Sequence, residues 1–118
     1  MSAATGIHLI DDTDGAVRNA YTAAGWHVAR VRDATTKAEV LDGFAAALQF
    51  PDYFGHNLDA LWDCLTDLTR PTVVVWEGWQ RCAVEYPEDW AGLMGVLRDR
   101  VDHSPAFAVL LIGTSPGA

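Results

Sequence analysis

The chain has 118 residues, 50% of them hydrophobic, and a formal charge of −8 at pH 7 from 16 acidic and 8 basic side chains. That length buries one core and no more, so a single domain over residues 1–118 is expected. The acidic balance argues against a nucleic acid held by its phosphates and against an anionic membrane surface as partners.

The opening MSAATG has neither the basic nor the apolar region of a signal peptide, so a cytoplasmic location is expected. Ile7 to Ile10 is a short apolar run closed by the turn-rich DDTDG, and it reads as an edge strand. Val17, Ala20, Tyr21 and Ala24 share one face of a helix from Ala16 to Ala24, with Gly25 placed to stop it. Trp26 to Val31 alternates as a strand does, its apolar contacts coming from Trp26, Val28 or its neighbour Ala29, and Val31. Thr36 and Glu39 have the spacing of a capping box, and Val40, Leu41, Phe44, Ala45 and Leu48 give the second helix its apolar face. Pro51 is expected to end that helix by pushing Phe50 out of the α region, and Gly55 to permit the turn that follows.

Asn57 then caps a third helix, in which Leu58, Leu61, Leu65 and Leu68 recur at helical spacing as the expected buried stripe. Asp59, Asp63 and Asp67 stand at successive i, i+4 steps with no Lys or Arg in the helix. Like charges at that spacing repel by a few tenths of a kcal/mol per pair. The helix dipole favours Asp59 in the first turn, whereas Asp67 lies near the end that disfavours a carboxylate. A row of uncompensated charge reads either as a solvated face or as the counterpart of a cationic site on a partner.

Beyond it, TVVVW at residues 72–76 is a β-branched run typical of a strand buried on both faces. Trp79 to Glu85 forms one short helix, and Pro87 starts another with Trp90, Leu93, Met94, Leu97 and Val101 as apolar positions. The tryptophans of WEGW and Trp90 read as core packing. Ser104-Pro105 breaks the helix before FAVLLI, a last buried strand far shorter than a bilayer span, and the tail GTSPGA is expected to be mobile. Strands alternating with helices indicate an α/β fold with a mainly parallel sheet.

The same residues admit other chemistry. His56, Asp59 and Asp63 could form the metal or acid–base cluster of a metal-dependent hydrolase, although no HExxH, paired CxxC or Gly-rich phosphate loop accompanies them. Cys64 with His103 is a weaker nucleophile pair, because nothing in the sequence brings the two together. Cys64 and Cys82 are no disulfide framework and read as reduced structural thiols.

Across Tyr53, Gly55 and the run Asn57-Leu58-Asp59-Ala60-Leu61-Trp62-Asp63-Cys64-Leu65-Thr66 the sequence resembles the barstar family, cytoplasmic inhibitors of secreted guanyl-specific ribonucleases. The element order from Trp26 onward is also similar. The resemblance implies a small three-stranded parallel sheet with packed helices, to which the N-terminal β-α unit can add an edge strand. It implies no enzymatic activity and no cofactor. The implied partner is a secreted ribonuclease, bound 1:1 by a monomer whose acidic helix and preceding loop fill the active-site cleft and mimic RNA phosphates. Carried over by position, Asp63 enters the phosphate pocket, Asp59 and Tyr53 contact neighbouring basic and catalytic groups, and Gly55, Trp62 and Thr66 line the contact. Asn57 and Asp67 complete the expected binding set with Asp99, which stands where the family carries a Glu. Asp67 and Leu68 replace a Gly and a Trp of the best-known member, and residues 1–25 have no counterpart there. A regulatory module with the same fold and a non-nuclease partner is the alternative reading.

Overall fold

β-Branched and aromatic runs at residues 72–77 and 107–112 form the two central strands of a four-stranded sheet that is parallel throughout. The structure, a computed structural model, describes residues 3–12, 15–52 and 54–113. Tyr53 and the residues of the tail from position 114 lie outside the described residues. In chain order the elements are β1 (Gly6–Ile10), α1 (Ala16–Ala23), β2 (His27–Arg32), α2 (Lys37–Leu48), α3 (Leu58–Thr66), β3 (Thr72–Glu77), α4 (Gln80–Glu85), α5 (Pro87–Val101) and β4 (Phe107–Ile112). The strands lie in the order β1-β4-β3-β2.

Three strands, β2, β3 and β4, make the sheet that the resemblance implied. β1 adds the edge strand, with Ile7 opposite Val109 and Leu9 opposite Leu111.

Alternation along β3 and β4 sends side chains to two cores. Val73, Val75, Ala108 and Leu110 pack under Tyr21 of α1. Val74, Trp76, Phe107, Val109 and Leu111 face the larger core built by α2, α3, α4 and α5, including Phe44, Leu61, Leu65, Leu93 and Leu97. The edge strand β2 contributes to both: Val28, with Trp26 just before the strand, sides with α1, while Ala29 and Val31 join the larger core. The choice between Val28 and Ala29 therefore resolves as one on each face. Trp79 stacks on Trp90 at 5.3 Å, and Trp90 lies 5.4 Å from Trp76, so these tryptophans are core packing.

Helix ends follow local chemistry, with two differences from expectation. α2 begins with the full Thr36–Glu39 capping box, but it ends at Leu48 because Gln49 turns left-handed (φ 57°), two residues before Pro51. In the sequence Asp12 reads only as part of a turn. Its buried carboxylate accepts from the backbone N–H groups of Val17 and Arg18 at 3.0 and 3.1 Å, which caps α1 where Gly15 has no side chain to do so. Arg18, Arg30 and Arg32 converge on Glu77 on the α1 side of the sheet.

Candidate functional site

The third helix is positioned at its start by one asparagine. Asn57 is extended (φ −139°, ψ 170°), so its Oδ1 accepts from the Ala60 N–H at 2.8 Å, while its Nδ2 donates back to Gly55 O at 3.0 Å. The cap therefore ties the helix to the loop before it. Gly55 serves this tie by leaving room: a Cβ there would stand 3.1 Å from the Asn57 amide nitrogen. The left-handed residue of the turn is His56 (φ 48°), not Gly55. His56 turns its ring to Asp42 on α2, with Nε2 2.5 Å from Oδ1, and also packs on Phe54, itself against Phe50. The loop is thus fastened to α2 on one side and to α3 on the other.

Leu61 and Leu65 are wholly buried and fix which face of α3 meets the core. Leu58, the first residue of the helix, and Leu68, beyond its C-cap Asp67, are only half-buried at the rim. α3 packs beside α5, and the two approach closely at Gly92, where a Cβ would come within 2.9 Å of Leu58 Cδ1. Between them runs an open groove of about 390 Å³ lined by Leu58, Asp59, Trp62, Asp63, Val96 and Asp99.

Three carboxylates from two helices therefore share one groove. Asp59, Asp63 and Asp99 are all exposed, and among the described residues none is in an ion pair. Leu58 and Val96 give the groove an apolar floor, and the half-buried Trp62 stands beside the charges, its ring edge-on to His103 at 5.2 Å. Thr66 is exposed, its hydroxyl donating to Asp63 O at 2.8 Å.

Asp67 is not part of this groove. It borders a smaller cavity of about 140 Å³ with Gln49, Phe50, Pro51, Cys64 and Leu68. The uninterrupted ridge of three carboxylates expected along α3 is thus two plus one, with Asp99 taking the third place in the groove.

His56 is engaged with Asp42, and among the described residues no group of three or more His, Cys, Asp or Glu is placed to hold a metal ion. Burial, then the charges of Asp67 and Asp63, push the Cys64 thiol above its ordinary pKa, which disfavours the thiolate a nucleophile needs. Cys82 is buried, its thiol likewise raised by burial and then by Asp89, and both cysteines are free.

Sequence reasoning missed Arg100. It is wholly buried in the last turn of α5, where its Nε donates to Leu65 O of α3 at 2.8 Å. One signal was present: Leu93, Leu97 and position 100 fall on one helical face, so the arginine occupies a position where that stripe calls for an apolar side chain.

The family model described as Barstar (barnase inhibitor) matches residues 26–111, which is most of the chain and includes the loop, α3 and α5. A stretch of 29 residues is 69% identical to the protein named "Putative ribonuclease inhibitor YrdF" from Bacillus subtilis (strain 168), covering 24% of this chain and 32% of that one. The match thus spans about a third of that relative's length.

Proposed function

The chain belongs to the barstar family, and on that premise we propose that it is a non-enzymatic inhibitor of a secreted microbial ribonuclease of guanyl specificity. The observation that carries this reading is the groove between two packed helices in which Asp59, Asp63 and Asp99 stand exposed, without an ion-pair partner among the described residues. An RNA-cleaving site must present cations to phosphate, and carboxylates held at fixed spacing meet the same cations. Arg–carboxylate pairs are bidentate and strong once water is excluded.

Roles follow from position. Asp63, between Asp59 and the helix end and beside Trp62, enters the phosphate pocket; Asp59 and Asp99 chiefly steer the encounter, since exposed charges act on association rate. Tyr53, Gly55, Asn57, Trp62 and Thr66 complete the contact surface, and Asp67 meets the partner at its rim. The protein acts as a monomer in a 1:1 complex, without cofactor, in the cytoplasm of the cell that makes the nuclease. Among the described residues no helix is long and apolar enough to cross a membrane.

The test is titration of the protein against a panel of guanyl-specific ribonucleases while RNA cleavage is followed. Stoichiometric loss of activity for at least one enzyme is expected. Full activity of every enzyme at excess inhibitor would contradict the proposal, and co-purification from the native cytoplasm would then identify a non-nuclease partner.

A further inference from the structure

Arg100 is a buried cation whose guanidinium has no carboxylate partner among the described residues. Besides Leu65 O, it donates through Nη1 to His103 O at 2.8 Å and through Nη2 to Pro105 O at 2.9 Å, and it lies over the Phe107 ring at 5.2 Å. Burial pulls its pKa down from the usual arginine value, yet a guanidinium stays charged in a protein. Isolated buried charge is costly, and an apolar residue in its place would leave three backbone carbonyls without this donor. What an apolar residue cannot supply is a three-way tie between the last turn of α3, the turn after α5 and the entry to β4.

The tie ends on both neighbours of the groove. Leu65 lies three residues beyond Trp62 on α3, and His103 is the residue whose ring meets Trp62 edge-on. Asp99 immediately precedes Arg100 on α5. The two helices are thus fixed at two points: the close approach of Leu58 to Gly92 at one end and the Arg100–Leu65 bond at the other.

We propose that Arg100 is the positioning residue of the acidic groove: by joining Leu65 O to His103 O and Pro105 O, it sets Trp62 against His103 and holds the α3 carboxylates at a fixed distance from Asp99. The inference rests on the reading of the groove as the inhibitory surface, and it predicts a division of labour. Asp59 and Asp99 chiefly govern how fast the partner arrives, whereas Arg100 governs how well the surface assembled around Asp63 and Trp62 holds it.

The experiment compares Arg100→Met, Arg100→Lys and His103→Ala in two readouts. In the free protein labelled with 5-fluorotryptophan, fluorine NMR reports all five tryptophans, and Trp62→Phe assigns the resonance that matters. In the complex, association and dissociation rates are measured separately. Arg100→Met is expected to move the Trp62 resonance and to raise the dissociation rate roughly tenfold or more, with association within about twofold, because interface geometry acts mainly on dissociation. Arg100→Lys, which keeps the charge but not the fork of donors, should fall between wild type and Arg100→Met. A lowered melting temperature with an unmoved Trp62 and an unchanged dissociation rate overturns the proposal, since that is what a merely structural arginine gives. Should Arg100→Met fail to fold, Arg100→Lys decides, with His103→Ala marking where the Trp62 resonance moves when the ring contact is lost: Arg100→Lys must shift that resonance and speed dissociation, and wild-type values of both overturn the proposal. If no ribonuclease binds the wild-type protein, the inhibitor reading fails, and the Trp62 resonance of the free variants alone upholds or overturns the positioning role.

Discussion

Asp63 and Asp67 stand one helical turn apart, yet their surroundings differ. Asp63 shares its groove with Asp59, Asp99 and Trp62, while Asp67 caps the end of α3 beside the 49–51 loop. Asp63→Ala is expected to weaken binding to the cognate nuclease by about 2 kcal/mol or more, the range of an interface hot spot, and Asp67→Asn by clearly less. Calorimetric titration checks both, and equal losses would contradict the separation. The row of carboxylates was legible in the sequence from helical spacing alone. That Asp67 leaves the row was not, because it depends on where α3 ends and on the loop that α2 places beside it. Arg100 was hidden for a related reason: a basic residue in the last turn of a helix is ordinary at the surface, and only the packing of α3 against α5 buries it.

At the scale of the element, the loop and helix of the site depend on two caps. Asn57 uses its oxygen for the helix and its amide nitrogen for Gly55, so the two jobs can be separated. Asn57→Ala should lower stability by about 1 kcal/mol, as loss of an N-cap does. Asn57→Asp should keep that stability while releasing Gly55, so affinity falls without a matching loss in denaturant resistance; a destabilisation equal to that of the alanine variant would contradict this. The capping box of α2 gives a pH signature. The backbone N–H groups of Thr36 and Thr35 hold the Glu39 carboxyl below the usual glutamate range. A carboxylate depressed in the folded state stabilises fully above its unfolded value of about 4.3 and loses that contribution as pH falls through the folded value. The stability gap between wild type and Glu39→Gln should therefore be present at pH 7 in urea denaturation and close in acid, and a gap independent of pH would contradict the assignment. Both caps were readable from residue type and spacing. The early stop of α2 was not, because a left-handed Gln49 leaves no mark of the kind glycine does.

Across the whole molecule, charge and topology leave the groove carboxylates without an ion-pair partner among the described residues. Arg18, Arg30 and Arg32 are drawn to Glu77 on the α1 side of the sheet, Arg81 pairs with Glu85, and Arg100 is buried, which engages five of the eight basic residues away from the groove carboxylates. The sheet explains why so much of the fold could be read in advance. β3 from Val73 to Trp76 and β4 from Phe107 to Leu111 are apolar and buried because both faces are covered, and a central parallel strand has that signature. The β1–α1 unit was legible as a strand and a helix, but its register on β4 and its cover of the second sheet face are long-range pairings that local pattern does not encode. The central claim is that the groove stands in for RNA phosphate inside a nuclease active site. It is tested most directly by the mode of inhibition: initial rates of RNA cleavage measured over a range of substrate concentrations with fixed amounts of the wild-type protein and of Asp63→Ala. Competition with RNA, markedly weakened in the variant, is the result expected. Inhibition that substrate does not relieve, or that Asp63→Ala leaves intact, would contradict it.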